Sequence, residues 1–177
     1  MPISQREQLA RTLCDLYLPG LKVLYNPRPA WLMQLELDLT FPEIGAAIEI
    51  QGEQHGRPLR HFHRSLDDFR RQQERDAVKI ELAQRNGYTI FALAIQDLDQ
   101  RRFEGWVRRI ILHGKDYARR RQDHALLTRL TQLYAKIPYV QPPAGLFQQQ
   151  ASMARRGICG QIKQRPSWWR RLLGLTR

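Results

Sequence analysis

The chain has 177 residues, enough for one self-supporting hydrophobic core with an appendage. Two distant cysteines, Cys14 and Cys159, exclude a disulfide framework, and no run of about 18 apolar residues offers a membrane span. The net charge of +12 is unevenly spread: residues 101–177 carry 17 Lys/Arg and 3 Asp/Glu, whereas residues 1–100 carry 12 and 14.

An excess of base concentrated in one half points to a polyanionic partner, nucleic acid before anionic membrane, against the plainer reading of a solvated basic face. The N-terminus lacks the apolar stretch of a signal peptide, so a cytoplasmic setting is expected.

Ser4 to Leu18 predicts a helix, with Ser4 and Glu7 as a capping box and Leu9, Leu13, Leu16 and Tyr17 as its apolar stripe; Pro19-Gly20 ends it. Leu21–Tyr25 is short and β-like, and Asn26–Pro29 is a turn. Leu35–Phe41 alternates apolar and polar residues, the period of a half-buried strand. Pro42–Gly45 turns the chain into a second strand, Ala46–Gln51. Residues 52–64 read as a Gly/His/Arg-rich loop. Ser65 or Asp67 can cap a helix running to Arg85, and Asn86-Gly87 closes it. Tyr88–Ile95 is continuously apolar, as in a strand covered on both faces. Residues 102–112 and 116–136 read as basic helices, residues 141–150 as a linker, and residues 166–173 as a basic, Trp-rich segment. The expected organisation is a core over 1–100, a basic helical extension over 101–140, and a linker with a Trp/Arg tail over 141–177.

A four-residue loop at Pro42–Gly45 would set a hairpin in which Phe41 faces Ala46, Thr40 faces Ala47, Asp38 faces Glu49 and Glu36 faces Gln51. Opposed residues have Cβ atoms roughly 4.5–5.5 Å apart, where like charges repel. A carboxylate pair there calls for a cation. Mg²⁺, or Mn²⁺ in its place, takes one or two carboxylates and keeps several waters. An exposed sheet face that simply carries acids is the alternative.

These residues resemble a known group. Leu35-Glu36-Leu37-Asp38, Phe41-Pro42-Glu43 and Ala47-Ile48-Glu49-Ile50-Gln51-Gly52-Glu53-Gln54-His55 are similar to the core of the restriction-endonuclease-like, or PD-(D/E)XK, superfamily. Within it they are nearest to very-short-patch-repair-like nucleases and related phage and homing endonucleases. The resemblance covers residues 4–100 and implies an α/β fold, a mixed sheet flanked by helices, and metal-dependent hydrolysis of DNA. It implies Asp38 and Glu49 as metal-holding residues, His55 as a proton-transfer group and Glu7 as an assistant. Gln51 stands where the superfamily has Lys, and Asp76 and Lys79 on the following helix are the compensating candidates. A nuclease fold that has lost activity and binds nucleic acid or a protein is the rival expectation.

Other candidates follow from residue type. His55, His61 and His63 lack the nearby cysteines that a zinc site favours. Arg57, Arg60 and Arg64 in the loop, and Arg101, Arg102, Arg108, Arg109, Arg119, Arg120 and Arg121 beyond it, are candidates for phosphate contacts to DNA or RNA. Trp168 and Trp169 beside Arg170 and Arg171 suit base stacking, a protein partner or a membrane surface equally.

Overall fold

In the computed structural model, residues 5–51, 66–143 and 145–147 are described. Apolar spacing makes Gln5–Tyr17 a helix, α1, which buries Leu9, Leu13 and Tyr17. A short strand β1 (Leu24–Tyr25) follows. Then come β2 (Leu39–Phe41), β3 (Ala46–Gln51), helix α2 (Leu66–Arg85) and β4 (Thr89–Ala94). Two helices complete the order, α3 (Gln100–Arg120) and α4 (His124–Lys136). The fold is mixed α/β. Its sheet runs β1-β2-β3-β4, antiparallel across the first two pairs and parallel between β3 and β4.

The hairpin has the expected register. Leu39 pairs with Ile48, Thr40 with Ala47 and Phe41 with Ala46. Its turn is a 3₁₀ segment, Pro42–Ile44, closed by Gly45 at φ 57°. A Cβ on Gly45 would lie 2.5 Å from Tyr117 Cε2 and 2.6 Å from the Gly87 carbonyl. Both the left-handed backbone and the close approach therefore require glycine.

The sheet has two faces with different cover. Ile48 and Leu93 point into the larger cluster, with Leu13 and Tyr17 of α1, Phe103, Trp106, Ile110 and Ile111 of α3, and Leu130 of α4. Ala47 and Ile90 point the other way, into a smaller cluster with Leu32, Leu37 and Ala83 of α2.

Four expectations need correction. Residues 101–140 do not form an appended extension: α3 and α4 share the main core with α1 and the sheet, so burial runs across the expected boundary. The helical break lies at Arg121–Asp123, not at 113–115. Gly114 sits inside α3 where a Cβ would crowd Ile44 and Leu130 at 3.0–3.1 Å, and Asp123 caps α4 by accepting from the Leu126 N–H at 2.9 Å. The strand expected over Leu35–Phe41 starts only at Leu39. The chain bends at Asp38, so Leu37 packs beneath α2 while Leu39 packs on the opposite side. Finally, Thr40 and Ala47, placed on a polar face by their alternation, are buried because α2 covers that side.

Candidate active site

The carboxylates meet where β2 begins and β3 ends. Just before β2, the Leu37 N–H donates to the Pro27 carbonyl and the Asn26 N–H to the Asp38 carbonyl, so this stretch is held against the segment after β1. The Asp38 side chain then takes over from the ladder: its Oδ2 accepts the Ile50 N–H at 2.6 Å. A carboxylate thus caps the end of β3, one pair beyond Leu39 and Ile48.

Glu49 stands on the α2 side of β3, where Lys79 reaches it from the helix with Nζ 3.0 Å from Oε1. The lysine and glutamate side chains are only 16% and 25% exposed, so the pair works in a medium poorer than water at screening charge.

Burial dominates the protonation of both acids. It raises the Asp38 carboxyl, and the Ile50 N–H and the Lys79 charge only partly offset it, with Glu7 and Glu36 adding like charge. It raises Glu49 to about 7, against the pull of Lys79 and with the push of Asp38 and Asp76. Glu7, Glu36, Asp38, Glu49 and Asp76 therefore act on one electrostatic neighbourhood that includes Lys79. Five of the residues singled out from sequence, Glu7, Asp38, Glu49, Asp76 and Lys79, belong to it.

A surrounding set of contacts had not been read from the sequence. Arg11 donates through Nη2 to Glu7 and to the Asn26 side-chain oxygen, and its guanidinium lies 4.4 Å from the centre of the Tyr25 ring. Asn26 Nδ2 donates to Glu36 at 3.1 Å, and Arg28 Nε donates to the same carboxylate at 2.8 Å. This chain of bonds orients Glu7 and Glu36 beside Asp38. The i,i+4 spacing of Glu7 and Arg11 was the available signal, whereas Asn26 and Arg28 carried only a turn signature. Glu36, expected opposite Gln51, is instead engaged by Asn26 and Arg28 in a segment outside the strand.

Gln51 is the last residue of β3 and pairs with Ala94; its side chain is not among those described. His55, Arg57, Arg60, Arg64, the zinc candidates His61 and His63, and the Trp/Arg tail lie outside the described residues, as does Ser4, the expected cap. Among the described residues no group of three or more His, Cys, Asp or Glu is arranged to hold a metal ion. The two carboxylates suit Mg²⁺ as a donor set, because that ion accepts one or two and fills the remaining positions with water.

The described arginines expected to contact phosphate lie elsewhere. Arg101, Arg102, Arg108, Arg109, Arg119 and Arg120 are carried by α3, with Arg121 just past its end, on the sheet face opposite Glu49 and Lys79. Arg119, Arg120 and Arg121 cluster at its C-terminal end beside Tyr117, the residue packed on Gly45 at the start of β3. Arg119 pairs with Asp116, Arg121 lies over the Tyr117 ring at 5.3 Å, and Arg108 lies over Tyr134 at 5.3 Å. Arg109 is exposed.

Among the described residues no helix is long and apolar enough to cross a membrane. No family model matches the chain, and no solved structure matches it. It is similar to "Uncharacterized protein 307L" of Invertebrate iridescent virus 6, 36% identical over 56 residues. That stretch is 32% of this chain and 28% of the viral protein, so the chain spans less than a third of that relative.

Proposed function

We propose that this chain is a metal-dependent endonuclease of the restriction-endonuclease-like, PD-(D/E)XK type that hydrolyses phosphodiester bonds in DNA. The observation that supports it is the Asp38 carboxylate held on β3 by the Ile50 N–H, close enough for its charge to act on Glu49, both acids raised by burial and Lys79 on Glu49. Two desolvated acids side by side destabilise a fold unless a cation accompanies them, and a site that keeps them offers that place to a ligand.

Asp38 and Glu49 would hold Mg²⁺, or Mn²⁺ in its stead. Such an ion supplies charge for a phosphoryl oxygen and acidifies water near neutral pH. The protein's own groups set the rest. The Ile50 N–H fixes the direction of the Asp38 carboxylate. Lys79 fixes that of Glu49 and brings a point charge of the kind phosphate groups attract. Arg11 holds Glu7 in place. His55 is assigned proton transfer on its residue type and motif position, and Gln51 the orientation of water or a phosphate oxygen.

The test is incubation with supercoiled plasmid, single-stranded circular DNA and RNA in Mg²⁺, Mn²⁺ or EDTA, beside Asp38→Ala. Metal-dependent nicking or cutting of DNA that disappears in the variant is expected. Equal cleavage by both proteins, or cleavage in EDTA, overturns the assignment.

A second reading is favoured by one observation: Lys79 already supplies a positive charge to Glu49, and Gln51 leaves the usual lysine position neutral. On this reading the fold binds nucleic acid, or a partner protein, without cutting. A clear gel shift with no cleavage under any metal condition, and cleavage gained by Gln51→Lys, would identify it.

A further inference from the structure

We infer that the outward face of α3 is a docking surface for the backbone of duplex DNA, separate from the carboxylate site. The helix has 21 residues and is therefore about 30 Å long. Six of its apolar residues, Phe103, Trp106, Val107, Ile110, Ile111 and Ala118, turn inward to the core, and Leu112 lies exposed on the outward face. The residues at the complementary angles are mostly basic: Arg101, Arg102, Arg109, Arg119 and Arg120 are exposed, and Arg108 lies at the edge of the same face over Tyr134. With 100° per residue these side chains fall within one band from the first turn to the last. Asp116 is the exposed acid on that band, and its pair with Arg119 is exposed on both sides, the kind that exchanges readily for a phosphate.

Gly105 lies in the middle of the band. Glycine is a poor choice inside a helix, and here no neighbour requires it: a Cβ would meet nothing within 4 Å. Its absent side chain leaves the helix backbone open to close approach, between the arginines of the first turn and Arg108-Arg109.

The chemistry of the band selects the partner. An anionic membrane would call for apolar side chains ready to insert, and those of α3 face the core, with Leu112 at 47% exposure the exception. Single-stranded nucleic acid is gripped by exposed aromatic platforms, and the band carries none: Phe103 and Trp106 are buried. Guanidinium groups in a straight row about 30 Å long match phosphates along roughly nine base pairs. Such contacts carry affinity and orientation without reading sequence. The inference goes beyond the proposed function by assigning a second surface, and rests on that reading for the class of partner alone.

The experiment is fluorescence anisotropy of the full chain in EDTA over a series of salt concentrations. The probes are a labelled 20-base-pair DNA duplex, its single strand, an RNA duplex of the same sequence, and phosphatidylserine/phosphatidylcholine vesicles. The duplex DNA is expected to bind most tightly. In Arg101→Gln/Arg109→Gln/Arg120→Gln the slope of log K against log salt should flatten by about 2–3, near 0.9 for each lost contact. Gly105→Leu, whose Cβ meets open space, should weaken duplex binding several-fold while the circular dichroism spectrum holds and the melting temperature does not fall. Unchanged affinity and slope in the triple variant, tighter binding of the single strand, the RNA or the vesicles, or Gly105→Leu binding like wild type each overturns the inference. Cleavage is scored separately in Mg²⁺: duplex binding without cutting removes the nuclease reading and keeps the surface, whereas cutting with no effect of the triple variant does the reverse.

Discussion

Replacing Glu49 by Gln removes a titrating group while keeping an oxygen that can accept from Lys79. In the fold Glu49 is raised from an ordinary 4.5 to about 7 by burial. Between those values the folded protein keeps a proton that the unfolded chain has already lost. The folded state therefore binds more protons, and stability falls as pH rises through this window, levelling off above about 7. A shift of this size corresponds to ~3 kcal/mol between the two ends, at 1.36 kcal/mol for each unit. Asp38 is displaced in the same direction and adds to the decline with the same sign. Glu49→Gln should flatten most of it, so that the variant gains on wild type by ~2–3 kcal/mol between about pH 4.5 and pH 8. Urea denaturation followed by tryptophan fluorescence in EDTA across that range measures it. If the difference between the two proteins is the same at both ends, Glu49 ionises in the fold as it does in water and the reasoning fails. Millimolar Mg²⁺ should restore stability to wild type at the alkaline end and leave Glu49→Gln unmoved.

Gly45→Ala should cost more than ~2 kcal/mol in urea, because the left-handed backbone and the contacts with Tyr117 and Gly87 both oppose a Cβ. Gly20→Ala, at φ 79° but with open space around it, should cost ~1–2 kcal/mol and serves as its control. Glu43→Gln breaks the ion pair between Arg129 on α4 and the hairpin turn; with the partners 42% and 34% exposed, the loss should stay below ~1 kcal/mol. Cys14 is fully buried and burial pushes its thiol up, so in a Cys159→Ser background it should react with maleimide only on unfolding, as scored by mass spectrometry.

The hairpin was the most legible feature, for a physical reason. A short loop bounded by Pro42 and Gly45 leaves little freedom in register, and Leu39, Thr40 and Phe41 meet the partners that counting from that loop assigns. Counting failed at Asp38. Alternation reports which side chains are apolar and says nothing about a bend, and at Asp38 the side chain itself replaces the backbone as acceptor. The gap expected between residues 112 and 116 falls inside α3, where Gly114 is small to let the helix pass Ile44 and Leu130. Asp123, a capping residue in plain view, marked the true start of α4.

At the candidate site, Lys79 and Asp76 could be proposed from helical spacing, since three residues apart on α2 they share a face. The support given by Arg11, Asn26 and Arg28 could not, because it joins a helix, a turn and a loop whose proximity exists only once β1 lies against β2. Basic residues on α3 were visible as composition, yet their distance from the carboxylates was not. Excess charge has no address until the sheet assigns α2 and α3 to opposite faces.

Trp106 adds one more role to the helix that carries those charges. Among the described residues β4 is paired on one side only, and its sequence, Thr-Ile-Phe-Ala-Leu-Ala, is the sort of apolar segment that seeks another strand. The Trp106 indole N–H donates to the Ala92 carbonyl at 3.1 Å, in the middle of this segment. One acceptor that an incoming chain would need is thereby already taken, and the bulk of the buried ring stands beside it. The same residue that fills the core thus also occupies part of the rim of the sheet, and the indole ties α3 to the strand beside it.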